Sequence, residues 1–332
     1  MNIARTLYAS KNTEYEVAYT PDVVYAHRPG GDLTLQLVTP VPPALPPKAP
    51  TWRDPIGEKF ARWIAEGGKP LNAPAPEGAR FPLIVGCPGS GWAGADGHRY
   101  VPWLVELAKR GFAAASISYR GTYRDDVVFP AAVQDLREAV RFLKATADTW
   151  RVDPRRVGLL GDSSGGNTAA LAALAGDRVL GFDDLSFDIG GHTDQDAGVR
   201  ACCCVYGPVD LVHLVEDRMA EGKHLRPDEA PGLPFECMEI WQERYLADPE
   251  RHLRAASPID YIEDCERLPP FLYIQGDEDQ IIPMAQGLRF CDRLRARGGR
   301  AEFIKVVGGE HGAGVWSAEM LDSVARFFKV YL

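Results

Sequence analysis

Short apolar runs alternate with longer amphipathic segments along most of the chain, and this alternation restricts the fold more than any other feature. The apolar runs are predicted to be buried strands, and they cover residues 82–87, 112–119, 157–160, 199–206, 271–275 and 301–307. Apolar side chains at helical spacing predict helices at residues 100–110, 129–150, 165–175, 284–297 and 316–332. Strands that alternate with helices specify a mostly parallel sheet with helices on both faces. The sequence therefore predicts an α/β fold.

Three segments depart from this alternation. Residues 15–25 and 32–38 alternate apolar and polar side chains around a His-Arg-Pro-Gly-Gly turn, which predicts an N-terminal antiparallel hairpin. Residues 212–256 are helical in composition and rich in large side chains, so we expect them to project from the sheet as a helical cap. Residues 177–197 are acidic and contain glycines, and they are predicted to form an exposed loop.

Length suggests that these parts belong to one unit. The 332 residues suit a single α/β domain spanning 1–332. Residues 49–78 form an extra segment between the second and third strands, and residues 55–67 within it have the spacing of an amphipathic helix. This segment either shapes the entrance to a site or contributes an oligomer contact, and the sequence leaves homo-oligomerisation open.

Charge and cysteine content exclude several functional classes. The net charge is −9, from 37 basic and 46 acidic residues with no basic run, which argues against a nucleic-acid partner. The N-terminus lacks an apolar signal-peptide core, and no apolar stretch reaches about 18 residues, so we expect no membrane span and a cytoplasmic location. The seven cysteines have no metal-ligand spacing, which suits a reducing compartment. Cys202, Cys203 and Cys204 are expected to be small buried strand residues.

The sharpest chemical motif is Gly-Asp-Ser-Ser-Gly-Gly at residues 161–166, between a predicted strand and a predicted helix. In a G-x-S-x-G turn the serine lies at a strained strand-to-helix junction that projects its hydroxyl from the sheet. The positions two residues on either side must be small, which selects Ser163 over Ser164 because Asp162 precedes Ser164 by two residues. A phosphate-binding loop is the alternative interpretation, but it would need a lysine that is absent here.

A serine nucleophile needs a base and an orienting acid, which in this type of sheet follow it along the chain as acid and then histidine. His311 lies in a glycine-rich loop shortly after the last predicted strand, whereas the other downstream histidines have no such position. The loop after residue 275 offers three carboxylates. We predict Asp279 as the acid, Asp277 as a residue that braces the turn through backbone amides, and Glu278 as solvent-facing.

The remaining candidates are oxyanion donors and substrate contacts. An oxyanion requires preorganised N–H groups, predicted from the amide of Ser164 and from the loop that contains Ser90 and Gly91. Trp92, Trp241 and Trp316 are candidate substrate-binding side chains. For Trp241 and Trp316, packing in the core is an equally good interpretation.

These residues resemble those of α/β-hydrolases of the carboxylesterase/lipase group, particularly the branch of acetylxylan esterases, feruloyl esterases and arylformamidase-like enzymes. The matching stretches are residues 32–37, 150–170, 206–211, 257–258, 269–283 and 308–312. The resemblance implies the α/β-hydrolase fold and a triad of Ser163, Asp279 and His311. It also implies oxyanion donors around Ser90, Gly91 and Ser164. The family usually has histidine where this chain has Pro88, and often only a short turn in place of residues 49–78.

These observations predict a serine carboxylic-ester hydrolase that acts through an acyl-enzyme and needs neither a metal nor an organic cofactor. From the resemblance, the expected substrates are small-molecule or carbohydrate esters with short-acyl or aromatic groups, as for an acetyl or feruloyl esterase. Two alternatives stay open. One is an arylformamidase or small peptidase with the same triad, and the other is a non-catalytic ligand-binding protein of the same fold.

Overall fold

The computed structural model describes residues 15–41, 78–123 and 127–332, so all but one residue of the extra segment 49–78 lies outside the described residues, as does its predicted helix. The strands are β1 (Glu16–Arg28), β2 (Gly31–Val41), β3 (Phe81–Cys87), β4 (Ala113–Ile117), β5 (Val152–Asp162), β6 (Arg178–Val179), β7 (Phe182–Ser186), β8 (Ala201–Val205), β9 (Phe271–Gly276) and β10 (Ala301–Val306). The α-helices are α1 (Val101–Lys109), α2 (Ala131–Ala145), α3 (Ala147–Trp150), α4 (Ser163–Leu174), α5 (Leu214–Ala220), α6 (Glu236–Trp241), α7 (Pro249–Ala255), α8 (Met284–Ala296) and α9 (Ala318–Tyr331).

Eight of these strands form one sheet in the order β1-β2-β4-β3-β5-β8-β9-β10. The hairpin β1–β2 is antiparallel, and β2 pairs antiparallel with β4. All pairs from β4 through β3, β5, β8 and β9 to β10 are parallel. The predicted mostly parallel sheet with an N-terminal antiparallel hairpin is therefore confirmed.

Both faces of the sheet are buried, which explains why its strands are apolar at consecutive positions rather than alternately. In β3, Leu83 and Val85 belong to one core cluster and Ile84 to the other, because successive strand residues point to opposite faces. Leu136 of α2 packs in the first cluster, and Phe328 of α9 packs in the second. Helices on both faces are thus the direct consequence of strands without a polar face.

The three adjacent cysteines follow the same rule. Cys202 and Cys204 face the first cluster, Cys203 faces the second, and each is 0% exposed. Burial raises the pKa of the Cys203 thiol well above its ordinary value, which keeps it protonated and unreactive. The interpretation of these cysteines as small core residues is confirmed.

The segment 177–197 departs from the prediction of an exposed loop. It contains the two-stranded hairpin β6–β7, and Phe187 is 0% exposed because its ring packs against Phe129 and Tyr261. The Asp188 carboxylate pairs with the guanidinium groups of Arg137 and Arg141 on α2. The acidic composition therefore reflects ion pairing to a helix in addition to solvation.

The functional consequence of the parallel arrangement is that the carboxyl ends of β3, β5, β9 and β10 meet at one edge. The residues expected to form the cap contain α5, α6 and α7 and lie between β8 and β9 in the chain. Within the described ranges, no helix has the length and apolar composition needed to cross a bilayer.

Candidate active site

Ser163 occupies the tight turn where β5 ends and α4 begins, with a backbone φ of 52°. A non-glycine residue in this region is strained, and the strain persists only where close packing enforces it. A Cβ on Gly161 would lie 2.2 Å from the Gly165 carbonyl oxygen, and a Cβ on Gly165 would lie 2.0 Å from that of Cys87. The glycines of the motif are thus required by close backbone approach.

The two serines of the motif have different environments. Ser164 is 1% exposed, and its Oγ accepts a hydrogen bond of 2.9 Å from the Ser90 amide. Ser163 is half-buried, and its side chain lines the cavity at the edge of the sheet. The structure therefore gives Ser163 the accessible hydroxyl.

Three side chains from separate loops form a continuous hydrogen-bonded chain. His311 Nε2 lies 2.9 Å from Ser163 Oγ, and His311 Nδ1 lies 2.8 Å from Asp279 Oδ2. Asp279 follows β9 and is 0% exposed, whereas His311 follows β10 and is partly accessible. This arrangement fixes the imidazole with one nitrogen toward the serine and the other toward a carboxylate, as general-base activation of a serine requires.

The carboxylate of Asp279 is saturated by donors. Its Oδ1 accepts hydrogen bonds from the amides of Ile281 (2.7 Å) and Ile282 (2.9 Å). Its Oδ2 accepts a 2.9 Å hydrogen bond from Gln275 Nε2 in addition to the contact with His311. The side chain is therefore held in one orientation by four donors.

The other two carboxylates of this loop lie elsewhere. Asp277 Oδ1 accepts a 2.7 Å hydrogen bond from the Gly308 amide. This aspartate therefore links the loop that carries Asp279 (the acid loop) to the loop that carries His311 (the histidine loop). Glu278 is exposed, as predicted. Asp277 was predicted to brace its own turn through backbone amides. It does bond a backbone amide, but that of Gly308 in the other loop, and the amides within the turn bond Asp279.

The predicted oxyanion residues surround Ser163, but they are not equivalent. The Ser90 amide donates to Ser164 Oγ, a buried hydroxyl that needs a partner. Gly91 has a φ of 61° in the loop that lines the cavity. The Ser164 amide lies in the first turn of α4, where backbone N–H groups have no partner within the helix.

Several side chains, most of which the sequence did not single out, brace residues 88–91, the predicted oxyanion loop. Asp162 Oδ1 accepts hydrogen bonds from the Gly89 amide (2.7 Å) and the Tyr100 hydroxyl (2.5 Å). The Tyr119 hydroxyl donates to the Pro88 carbonyl (2.7 Å), and Arg99 donates to the Gly89 carbonyl. Burial raises the pKa of the Tyr119 hydroxyl well above its usual value, which keeps it a donor. In the sequence, the position of Asp162 inside the Gly-Asp-Ser-Ser-Gly-Gly motif was the one indication of this bracing among these residues.

A cavity of about 700 Å³ opens over Ser163 and His311. Aromatic side chains form much of its wall: Trp92, Tyr100, Trp103, Tyr123, Tyr206, Phe235 and Trp316. Charged side chains complete the lining: Arg99, Asp162, Arg226, Glu236 and Glu239. Several of these residues belong to the predicted cap segment 212–256, so that segment contributes a wall of the cavity. The volume is within the range of small-molecule sites.

The three candidate tryptophans separate into two groups. Trp92 and Trp316 line the cavity, and Trp316 stacks on Trp103 with ring centroids 5.2 Å apart. The prediction that Trp241 contacts substrate is wrong for this structure, since Trp241 is 3% exposed and does not line the cavity. Its ring packs on Phe182, and its Nε1 donates to the His252 carbonyl, so it is a core residue.

Most of the chain is similar in sequence to known proteins. Residues 71–294 match the BD-FAE family. Esterase LipQ of Mycobacterium tuberculosis is 30% identical over 226 residues, which are 67% of this chain and 47% of LipQ. An acetylxylan esterase of Xylanibacter ruminicola is 21% identical over 272 residues, covering 80% of this chain and 48% of that enzyme. The chain thus spans about half the length of the curated relatives it matches.

The fold has close counterparts among solved structures. The structure of a truncated carbohydrate esterase from gut microbiota superposes with a TM-score of 0.70 at 23% identity, covering 97% of this chain and 98% of that chain. Such a likeness establishes the α/β-hydrolase fold. Because the family match covers more than half of the sequence and the fold agrees with it, the chain belongs to the BD-FAE family of α/β-hydrolase esterases.

Proposed function

We propose that the protein hydrolyses carboxylic esters through an acyl-enzyme formed on Ser163. The observation that carries the proposal is the hydrogen-bonded series from Ser163 through His311 to the buried Asp279, whose first two members line an open cavity. The esterase names of the relatives support the same reaction class.

In the proposed reaction, Ser163 Oγ attacks the ester carbonyl carbon while His311 Nε2 accepts the hydroxyl proton. Asp279 keeps the Nδ1 proton in place and stabilises the imidazolium that forms. His311 then returns the proton to the leaving alcohol, and a water molecule, activated by the same histidine, cleaves the acyl-enzyme. Proton transfer by a positioned side chain contributes about 10²–10⁴-fold to such rates.

The negative charge that develops on the carbonyl oxygen needs donors on the side opposite His311. We assign this role to the amides of Gly91 and Ser164, since the Ser90 amide bonds Ser164 Oγ. Removing a single oxyanion donor typically costs about 3–4 kcal/mol of transition-state stabilisation. The bracing of the loop by Asp162, Tyr119 and Arg99 supports this assignment, because donors must be held in place before charge develops.

The proposed substrates are short-acyl or aromatic esters, including acetyl or feruloyl esters of carbohydrates. The aromatic walls that contain Trp92, Trp103 and Trp316 suit a sugar face or an aryl ring. The acetylxylan esterase among the relatives favours the acetyl group. Initial rates on p-nitrophenyl esters from acetyl to octanoyl, beside acetylated xylan and methyl ferulate, would rank these classes.

The test of the mechanism is Ser163→Ala. We expect it to abolish hydrolysis of p-nitrophenyl acetate and covalent labelling by a fluorophosphonate, because the triad acts as a unit. A folded Ser163→Ala protein that keeps more than about 1% of the wild-type rate would refute the assignment. A wild-type protein that is neither labelled nor active on esters would instead favour the non-catalytic ligand-binding alternative.

A further inference from the structure

The first cap helix, α5, and the turn after it contact the segment that carries Asp279. Arg218 Nε donates a 2.8 Å hydrogen bond to the Ile281 carbonyl. The Glu221 carboxylate accepts hydrogen bonds from the amides of Met284 (3.0 Å) and Ala285 (2.8 Å), at the N-terminus of α8. Lys223 Nζ lies 3.4 Å from the Asp277 carbonyl oxygen. The cap is thus fastened to the acid loop at several points.

Arg218 is the most deeply placed of these contacts. Its side chain is 2% exposed, and it pairs with two carboxylates that are equally sheltered, Glu229 at 1% and Glu236 at 4%. The Phe235 ring lies 5.5 Å from its guanidinium carbon. A planar guanidinium that bonds two carboxylates and one carbonyl has little rotational freedom, so its position is fixed by the cap.

Ile281 connects this fixed cation to the candidate triad. Its carbonyl oxygen accepts from Arg218, and its amide donates to Asp279 Oδ1 at 2.7 Å. The same aspartate contacts His311 through Oδ2. A shift of residue 281 would therefore change both the orientation of Asp279 and its contact with the imidazole.

We propose that Arg218 is a positioning residue for the reaction, which holds Asp279 in register with His311 through Ile281. The proposal rests on the proposed ester hydrolysis. In this proposal the cap does more than line the cavity. Its residue Glu236 lines the cavity and pairs with Arg218, and Arg218 also bonds Ile281 in the acid loop. Arg218 itself does not line the cavity, so it acts through the loop rather than on the substrate.

Arg289 supplies a control. It also links α5 to the segment after β9, since it bonds Asp217 on α5 as well as Asp210. Arg289 bonds these two carboxylates, whereas Arg218 bonds the Ile281 carbonyl of the acid loop. Loss of Arg289 therefore removes a two-carboxylate ion-pair network between α5 and α8, more exposed than that of Arg218, without releasing Ile281.

The test compares Arg218→Met, Arg218→Lys and Arg289→Met with the wild type. We measure the melting temperature, kcat and KM on p-nitrophenyl acetate, and the rate of fluorophosphonate labelling. We expect Arg218→Met to lower kcat and the labelling rate by about 10–100-fold with little change in KM, since small misplacements in a site have effects of this size. Arg218→Lys should be intermediate, because an ammonium cannot reproduce the guanidinium fork. Arg289→Met should keep kcat within about threefold of wild type.

The outcomes separate the two proposals. If Arg218→Met folds and keeps kcat within about threefold of Arg289→Met, or if it changes only KM, Arg218 has no positioning role. If Arg218→Met does not fold, the Lys variant decides, and a wild-type kcat there overturns the inference. Failure of ester hydrolysis itself would appear as an inactive, unlabelled wild-type protein, which none of these variants can mimic.

Discussion

An asparagine at position 279 would have nearly the shape of the aspartate, but it would place an NH₂ group against donors in either orientation. With the NH₂ at the Oδ2 position, it would face Gln275 Nε2 and the Nδ1–H of His311. With the NH₂ at the Oδ1 position, it would face the amides of Ile281 and Ile282. Each oxygen of Asp279 accepts two hydrogen bonds, so no rotation of the amide avoids a conflict.

Of the two conflicts at Oδ2, only the one with His311 can be relieved, and only by changing the histidine. Flipping the amide of Gln275 would bring its Oε1 toward the new NH₂, but would set that oxygen against the Ile282 carbonyl, which Nε2 now bonds at 3.0 Å. The contact with His311 is restored by the other tautomer of the ring, with Nδ1 as acceptor and the proton on Nε2, while the conflict with Gln275 Nε2 stays. That tautomer cannot take the proton of Ser163.

We therefore expect Asp279→Asn to lower kcat on p-nitrophenyl acetate by about 10⁴-fold, as the wrong tautomer does in a Ser-His-Asp triad. This corresponds to about 5.5 kcal/mol of lost transition-state stabilisation. The matched control is Asp277→Asn, whose amide oxygen can still accept from the Gly308 amide. We expect that variant to keep kcat within about threefold, because the pairing that it loses, with Lys305, is partly exposed and distant from His311 in the hydrogen-bonded series.

The comparison also decides which acid of the loop is used. Equal losses in the two variants, or a loss below about tenfold in a folded Asp279→Asn protein, would refute the tautomer argument. Circular dichroism and the melting temperature of each variant would show whether an activity loss reflects unfolding.

The other predictions concern the aromatic side chains and the acidic hairpin. Trp316→Phe should raise KM for aryl esters with little loss of melting temperature, whereas Trp241→Phe should lower the melting temperature and leave KM unchanged; the reverse pattern would place Trp241 at the site. Burial alone would raise the pKa of Asp188, but hydrogen bonds and charge from Arg137 and Arg141 lower it. A carboxylate whose pKa is lower in the folded state stabilises the fold at pH values above its ordinary pKa of about 4. This stabilisation is lost as the pH falls through the folded-state pKa. The difference in melting temperature between wild type and Asp188→Asn should therefore shrink below about pH 4, and a difference independent of pH would contradict the assigned pairing.

The candidate triad could be predicted from the sequence, because a local motif marks Ser163 and the order of strands along the chain marks Asp279 and His311. Ser163 could be identified because the small residues that its turn requires, Gly161 and Gly165, lie two positions on either side of it, although one of the contacts that demand them comes from the distant Cys87. Asp279 and His311 could be predicted because loops at the carboxyl ends of neighbouring parallel strands must lie close together. The geometry that brings all three into hydrogen-bond distance is consistent with these choices.

The errors occurred where an environment is assembled from distant segments. Trp241 is covered by Phe129, more than 100 positions earlier, and by Phe182, neither of which marks it as a core residue in the sequence. Ser90 was predicted among the oxyanion residues, and nothing in the sequence shows that its amide bonds the Ser164 hydroxyl. The burial of Arg218 could not be predicted from the sequence, since an arginine in a charged helix is ordinarily solvated.

Pro88 is compatible with the oxyanion loop because the loop is held by groups that a proline still provides. A proline has no N–H, but its carbonyl oxygen accepts from Tyr119, and the next amide, of Gly89, donates to Asp162. Gly89 must be a glycine, since a Cβ there would lie 2.5 Å from the Asp162 carbonyl oxygen. Asp162 precedes the nucleophile directly, so one buried carboxylate joins the Ser163 turn to the loop that carries the oxyanion donors. A side chain at residue 88 is then not needed to set the distance between nucleophile and donors, which explains how a family position usually occupied by histidine accommodates a proline.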